Sequence, residues 1–191
     1  MKNSPCYENW IQQVINNFVS ANWETALLEW KLYDFEEDKT LLSSCICGKE
    51  KLRYLFTIRN INNGRILYPI GSSCTKRFER KDLDEVVTMK EELFRLLHDL
   101  EKGEYIKLSS DLFSRRLLNH FFEEGVFRSN SYNGFDPESD YFFLLKMFNR
   151  RDKNNLALAQ SKKISAIIMN AVRPYLRSIL RDKVKHRREG L

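Results

Sequence analysis

The sequence predicts an α+β fold, mostly α: a helical protein interrupted once by a small β-hairpin module at about residues 40–80. Three observations point there. Apolar residues recur at helical spacing over most of the chain, clear apolar/polar alternation is confined to one short segment, and three of the four cysteines bracket that segment.

The elements follow in order. Ser4-Pro5 reads as an N-cap and first helical residue, which places Cys6 in the first turn of a helix. Tyr7, Trp10, Ile11, Val14, Ile15 and Phe18 continue it on one face. Asn22 caps a second helix carrying Trp23, Ala26, Leu27 and Trp30; tryptophans at this spacing are core residues rather than a stacking platform. Leu32 to Phe35 reads as a short strand before the acidic turn Glu36-Glu37-Asp38.

Next come Cys45-Ile46-Cys47-Gly48 and the alternating Leu52, Tyr54, Phe56 and Ile58. Asn62-Asn63-Gly64 supplies the positive-φ residues of a tight hairpin, and the return strand sets Ile66, Tyr68 and Ile70 on one face. Gly71-Ser72-Ser73 turns into a helix with a serine as N-cap and Cys74 in its first turn. Asp82 with Glu85 makes a capping box for a long helix from Leu83 to Leu100, which Gly103 ends. A further helix carries Leu112, Phe113, Leu117, Phe121 and Phe122 and stops at Gly125. The polar loop from Ser129 to Asp136 is the domain boundary, separating residues 1–128 from a basic helical region, 136–191. There Asp136-Pro137 opens one helix, and another runs from about Leu156 to Ile179, with Pro174 expected to kink or interrupt it.

Knuckle, hairpin, helix N-terminus is the order of a treble-clef metal module. Thiols in such a pattern, in a chain with no signal-peptide-like start and no membrane-spanning run, read as metal ligands in a reducing cytoplasm rather than disulfides. Zinc in a structural site takes about four thiolate or imidazole ligands. Cys45, Cys47 and Cys74 give three; Arg77 and Phe78 stand where a treble clef would offer another. Cys6 is the leading fourth ligand, and His98, His120 or a water could stand in its place. The competing reading is that Cys45 and Cys47 are small buried hydrophobes without metal.

Charge is laid out in blocks. Residues 1–48 carry 3 basic and 7 acidic side chains, 49–81 carry 9 and 2, 82–140 carry 7 and 14, and 141–191 carry 13 and 3. Arg173, Arg177 and Arg181 share one helical face, which Lys185, Arg187 and Arg188 extend. Such a stripe suits a polyanion, so nucleic acid bound through the faces 49–81 and 141–191 is one expected partner; a solvated basic tail is the plainer explanation. No P-loop, dinucleotide fingerprint, nucleophile elbow or His-Glu-x-x-His occurs, and the hairpin opens on Gly48-Lys49-Glu50 without the histidine of a treble-clef nuclease. The sequence therefore predicts a protein that is not an enzyme.

The stretch Cys45-Ile46-Cys47-Gly48, Phe56-x-Ile58-x-Asn60 and Pro69-Ile70-Gly71-Ser72-x-Cys74-x-x-x-Phe78, with Glu29-Trp30 before it, resembles a zinc-binding segment of small phage and mobile-element proteins. Tyr141 to Phe148 followed by Gln160-x-Lys162-Lys163-Ile164 has the same character. Lys49 stands where the resemblance implies a histidine, which leaves the fourth ligand open. The resemblance extends to anti-CRISPR inhibitors and implies a host type II CRISPR effector nuclease as partner, bound in the cytoplasm of an infected or lysogenic bacterium and blocked at nucleic-acid loading. A zinc-containing nucleic-acid-binding accessory or regulatory protein is the second reading.

Overall fold

Helix α1 (Pro5–Ile15) begins where Ser4-Pro5 predicts: the Ser4 hydroxyl accepts the Tyr7 N–H at 3.3 Å. The computed structural model describes residues 4–152 and 156–189, with side chains as far as Arg181. It comprises two units, Met1–Glu91 and Glu92–Leu191.

In the first unit α1 buries Trp10 and Val14 and ends at Ile15, so Phe18 lies beyond it. Helix α2 (Trp23–Leu28) is capped by Asn22, as its sequence predicts. Trp30 is not on that helix. It opens strand β1 (Trp30–Glu37), twice the length of the strand the sequence marks, because Trp30 and Phe35 pair with Asn60 and Phe56 of a neighbouring strand, with Tyr33 left on a bulge between them, and tertiary pairing outweighs local spacing. Strands β1, β2 (Tyr54–Asn60) and β3 (Ile66–Ile70) form an antiparallel sheet in that order.

The hairpin differs from expectation in two ways. Its connection is residues 61–65, closed by the Gly64 N–H on the Asn60 carbonyl (2.9 Å), and of the Asn-Asn-Gly run only Gly64 has positive φ, +75°. In β3 the buried residues are Leu67 and Ile70, while Ile66 and Tyr68 are exposed. The register explains this. Ile58 faces Leu67 and Phe56 faces Ile70, so two steps along β2 match three along β3; the extra residue is a bulge that moves Ile70 to the other side of the alternation, beside the cis Tyr68–Pro69 bond.

Gly71, not a serine, is the N-cap of the single-turn helix α3 (Ser72–Thr75), which continues as a 3-10 turn, Lys76–Phe78. Helix α4 (Lys81–Glu101) follows. Its first intrahelical acceptor is the Arg80 carbonyl, and Asp82 lies inside the first turn, paired with the Arg80 guanidinium, so the expected capping box does not form. The core of this unit gathers Trp10, Val14, Trp30, Phe56, Ile58 and Phe78 with the three clustered cysteines.

The division between units falls inside α4. The loop 129–136, which the sequence marks as the boundary, therefore lies within the second unit. Its 3-10 turn (Ser131–Asn133) is pinned there: Asn133 donates to the Asp140 carboxylate at 3.0 Å and to the Arg128 carbonyl at 2.8 Å. Helix α5 (Arg115–Glu123) is capped by Ser114, which leaves Leu112 and Phe113 before it. Helix α6 (Pro137–Phe148) starts at the predicted Asp136 cap. Helix α7 (Leu158–Ile167) passes through a π-helical turn, Ile168–Val172, into α8 (Arg173–Glu189). Pro174 lies inside a helical run that is continuous from Leu158, and the run is interrupted immediately before it, as the sequence predicts. The irregularity is the π turn before it, where the Arg173 N–H reaches the Ile168 carbonyl. The fold is thus α+β and mostly α, with one small sheet; among the described residues no helix is long and apolar enough to cross a membrane.

Candidate metal centre

The knuckle is built by backbone geometry. The Gly48 N–H closes onto the Cys45 carbonyl at 2.8 Å, the Cys45 N–H onto the Lys49 carbonyl at 2.8 Å, and Gly48 adopts φ +89°, a conformation that glycine takes without steric cost. A bridge between Ser43 and Leu52 ties the two limbs below it, and the Ile46 N–H donates to the Pro69 carbonyl at 2.9 Å, joining the knuckle to β3. Cys74 comes from the third position of α3, set by the Cys74 N–H on the Gly71 carbonyl (2.8 Å).

These elements bring the sulfurs of Cys45, Cys47 and Cys74 within 4.8 Å of one another, all three residues buried. The cysteines are free thiols with no disulfide. A thiol hydrogen bond from Cys74 lowers the Cys45 pKa to about 5, against the opposing effect of burial and with help from the Cys47 and Gly71 N–H groups; the Gly71 nitrogen is 3.4 Å from Cys45 Sγ. Cys74 is pushed far up by its hydrogen bond to Cys45, by burial and by the Cys45 charge, and Cys47 is pushed up chiefly by burial. One thiolate at a time is therefore comfortable. A divalent cation among the sulfurs removes the mutual repulsion and favours all three as thiolates, the form in which cysteine ligates. The donor set fits a thiophilic metal.

Cys6 lies in the first turn of α1, half-buried, and is not one of the three sulfurs held within 4.8 Å. Its carbonyl accepts the Arg77 guanidinium at 2.8 Å, and one turn later Asn9 reaches the Cys47 carbonyl at 3.4 Å, so α1 borders the knuckle without adding a sulfur to the group. His98 and His120 lie on α4 and α5, and neither imidazole joins the group.

The basic block 49–81 is partly turned inward. Arg53 pairs with Glu37 at 2.9 Å, Arg65 donates to the Asn16 carbonyl at 2.6 Å, Arg77 holds Cys6, and Arg80 reaches the Leu27 and Leu28 carbonyls at 3.3 Å. On α8, Arg177 and Arg181 are exposed, whereas Arg173 is half-buried with its guanidinium 3.1 Å from Met169 Sδ. Lys185, Arg187 and Arg188 fall within α8, but their side chains lie outside the described residues. The second unit also contains a cleft of about 930 Å³ between the α7–α8 face and the segment after α5, bordered by Arg128, Tyr132, Lys162 and Tyr175. Tyr132 is 94% exposed, and burial followed by the Glu124 charge pushes the Tyr175 pKa up to about 12, so its hydroxyl stays protonated. The sequence pattern does not reveal this cleft; its residues come from three separated segments with no shared motif.

A second cluster is equally hidden, although two of its members stand in the zinc-segment pattern. The buried Glu29 carboxylate accepts the Val19 N–H (3.0 Å), the Ser20 N–H (2.7 Å), the Ser20 hydroxyl and the Asn60 amide. Burial alone would raise its pKa; those hydrogen bonds together hold it down at about 2. No family model, curated protein or solved structure matches this chain.

Proposed function

We propose that Cys45, Cys47 and Cys74 hold a structural zinc ion, and that the chain is a non-enzymatic binding protein of a phage or mobile element. The observation that carries the zinc is the convergence of three buried sulfurs from a glycine-closed knuckle and a helix first turn. Three thiolates select a thiophilic ion over magnesium or calcium. The metal would tie residues 45–47 to Cys74, adding to the thiol contacts among the sulfurs and to the hydrogen bonds made by the Ile46 and Gly71 N–H groups.

The partner in this reading is a host type II CRISPR effector nuclease in the bacterial cytoplasm, inhibited by blocking nucleic-acid loading. It rests on the sequence resemblance together with the alternation of acidic and basic blocks, which can occupy a nucleic-acid channel. The test is co-purification of the chain with such a nuclease, guide RNA being added before or after the protein. Inhibition only when the protein is added before the guide or target supports the reading; no complex with any type II effector refutes it.

A second reading, direct nucleic-acid binding, is favoured by the exposed Arg177 and Arg181 and by the cleft where Arg128 and Lys162 lie with an exposed tyrosine. Aromatic and cationic groups together suit single strands. Binding to a single-stranded oligonucleotide that weakens steeply with salt, and weakens further in Arg177→Glu/Arg181→Glu, supports it.

A further inference from the structure

The three sulfurs leave one donor position of a four-coordinate ion to be supplied, and the structure distinguishes the sides from which a donor can come. Beside the site is a cavity of about 160 Å³ whose wall includes Cys45, Cys74 and Gly71, but neither Cys47 nor Cys6. Lys49, Lys51 and Arg53 also line it, together with Leu52, Tyr54 and two serines. A water takes up roughly 30 Å³ of liquid, so the cavity holds an ion's outer ligand and more. On the α1 side, Cys6 contributes its backbone carbonyl to Arg77 and stands outside the sulfur group.

We propose that the fourth donor to a metal held by Cys45, Cys47 and Cys74 is a small exchangeable ligand entering from this cavity, and that Lys49 and Lys51 favour an anion there. The inference rests on the zinc reading above. A dication with three thiolates carries net charge −1, so a fourth, anionic donor is opposed by charge unless cations stand nearby. Lys49 and Lys51 supply them, while Arg53 already pairs with Glu37. A site closed by four protein ligands serves stability alone; a site with an open position exchanges ligands.

Cobalt(II) substitution of the full chain tests this, because its visible spectrum reports ligand number and type. Zinc stoichiometry of the purified protein comes first. If neither zinc nor cobalt binds, the metal reading itself fails and takes this inference with it. With cobalt bound, the wild type is expected to show thiolate charge-transfer bands that are unchanged in Cys6→Ser and collapse in Cys74→Ser. Its ligand-field bands are expected to shift on titration with thiocyanate, with the half-saturating concentration several-fold higher in Lys49→Ser/Lys51→Ser. Loss of about a quarter of the charge-transfer intensity in Cys6→Ser overturns the inference and leaves the zinc reading standing, as does a wild-type spectrum insensitive to thiocyanate.

Discussion

The sheet is pinned at its two ends by different chemistry. At one end, where β2 begins and β3 finishes, three sulfurs converge and only a dication makes all of them comfortable as thiolates. At the other, where Trp30 pairs with Asn60, one carboxylate fills the same bridging position using hydrogen bonds from the chain itself: Glu29 joins the segment after α1 to the end of β2. In the reading proposed above the first end depends on an ion the protein must acquire, and the second is complete when the backbone folds. A small unit with few strands gains from both, since a three-stranded sheet packed on short helices has limited apolar area to bury.

The largest expected effect comes from removing the metal end. Cys74→Ser, or a strong chelator on the wild type, is expected to cost about 5 kcal/mol of the first unit's stability, because ligand binding energy there is folding energy. Hydrogen exchange locates the loss. Amides of residues 45–49 and 71–75 should lose protection while Asn60, Ile61 and Gly64 keep theirs. Equal loss at both ends would mean that the ends are one cooperative unit and that the contrast drawn between them is wrong.

Glu29→Ala is the matching cut at the other end. It leaves two backbone N–H groups and the Ser20 hydroxyl without this acceptor and reduces the Asn60 amide to its bond with the Asn17 carbonyl (3.3 Å), an expected cost of about 3 kcal/mol. Metal stoichiometry should not change. The pH dependence has a definite sign. The folded-state pKa of Glu29 is about 2 against an ordinary 4.5, so its contribution is fully present above about pH 4.5 and is lost as pH falls through 2. Acid also protonates the thiolates, so the informative quantity is the difference between wild type and Glu29→Gln in chemical denaturation. That difference should shrink between those pH values; a constant difference would show that the carboxylate's charge is not what holds this end.

The contrast between the two ends also explains what is legible in the sequence. At the metal end the grouping of Cys45, Cys47 and Cys74 is legible, because cysteines have few common roles and their spacing survives in the linear text. Helix starts at Ser4, Asn22 and Asp136 are legible for a similar reason: a cap acts on amides two or three residues away. The carboxylate clamp is not, since Glu29 and Asn60 are ordinary residues whose meaning comes only from being 31 positions apart and in contact. Trp30 reads as helical because its spacing from Trp23 and Ala26 fits a helix, and the strand partner that overrides it lies at Asn60. The β3 face departs from expectation because a bulge changes the alternation without any residue that announces it, and the division between units hides within an unbroken helix. The expectation for Cys6 rests on ligand counting and on its place in the first turn of α1; the second is met, but neither carries information about where α1 points.

The smallest expected effect sharpens the comparison most, because it alters the metal end without touching a ligand. Gly71 has φ −83°, so alanine fits its backbone, but the added Cβ would stand 3.0 Å from Leu52 Cδ2. Leu52 must then yield by a few tenths of an ångström, although it is buried and sits on the bridge to Ser43 at the base of the knuckle. Overpacking of this kind costs about 1 kcal/mol. The Gly71 N–H also supports the Cys45 sulfur, and a shift of Leu52 passes to both limbs of the knuckle. Gly71→Ala should therefore weaken metal affinity several-fold in a competitive chelator titration, while the protection of Asn60 and Ile61 in hydrogen exchange stays at the wild-type level. If metal affinity is unchanged and stability still falls, the knuckle tolerates displacement and the sulfurs, rather than the packing beneath them, set the geometry of the site.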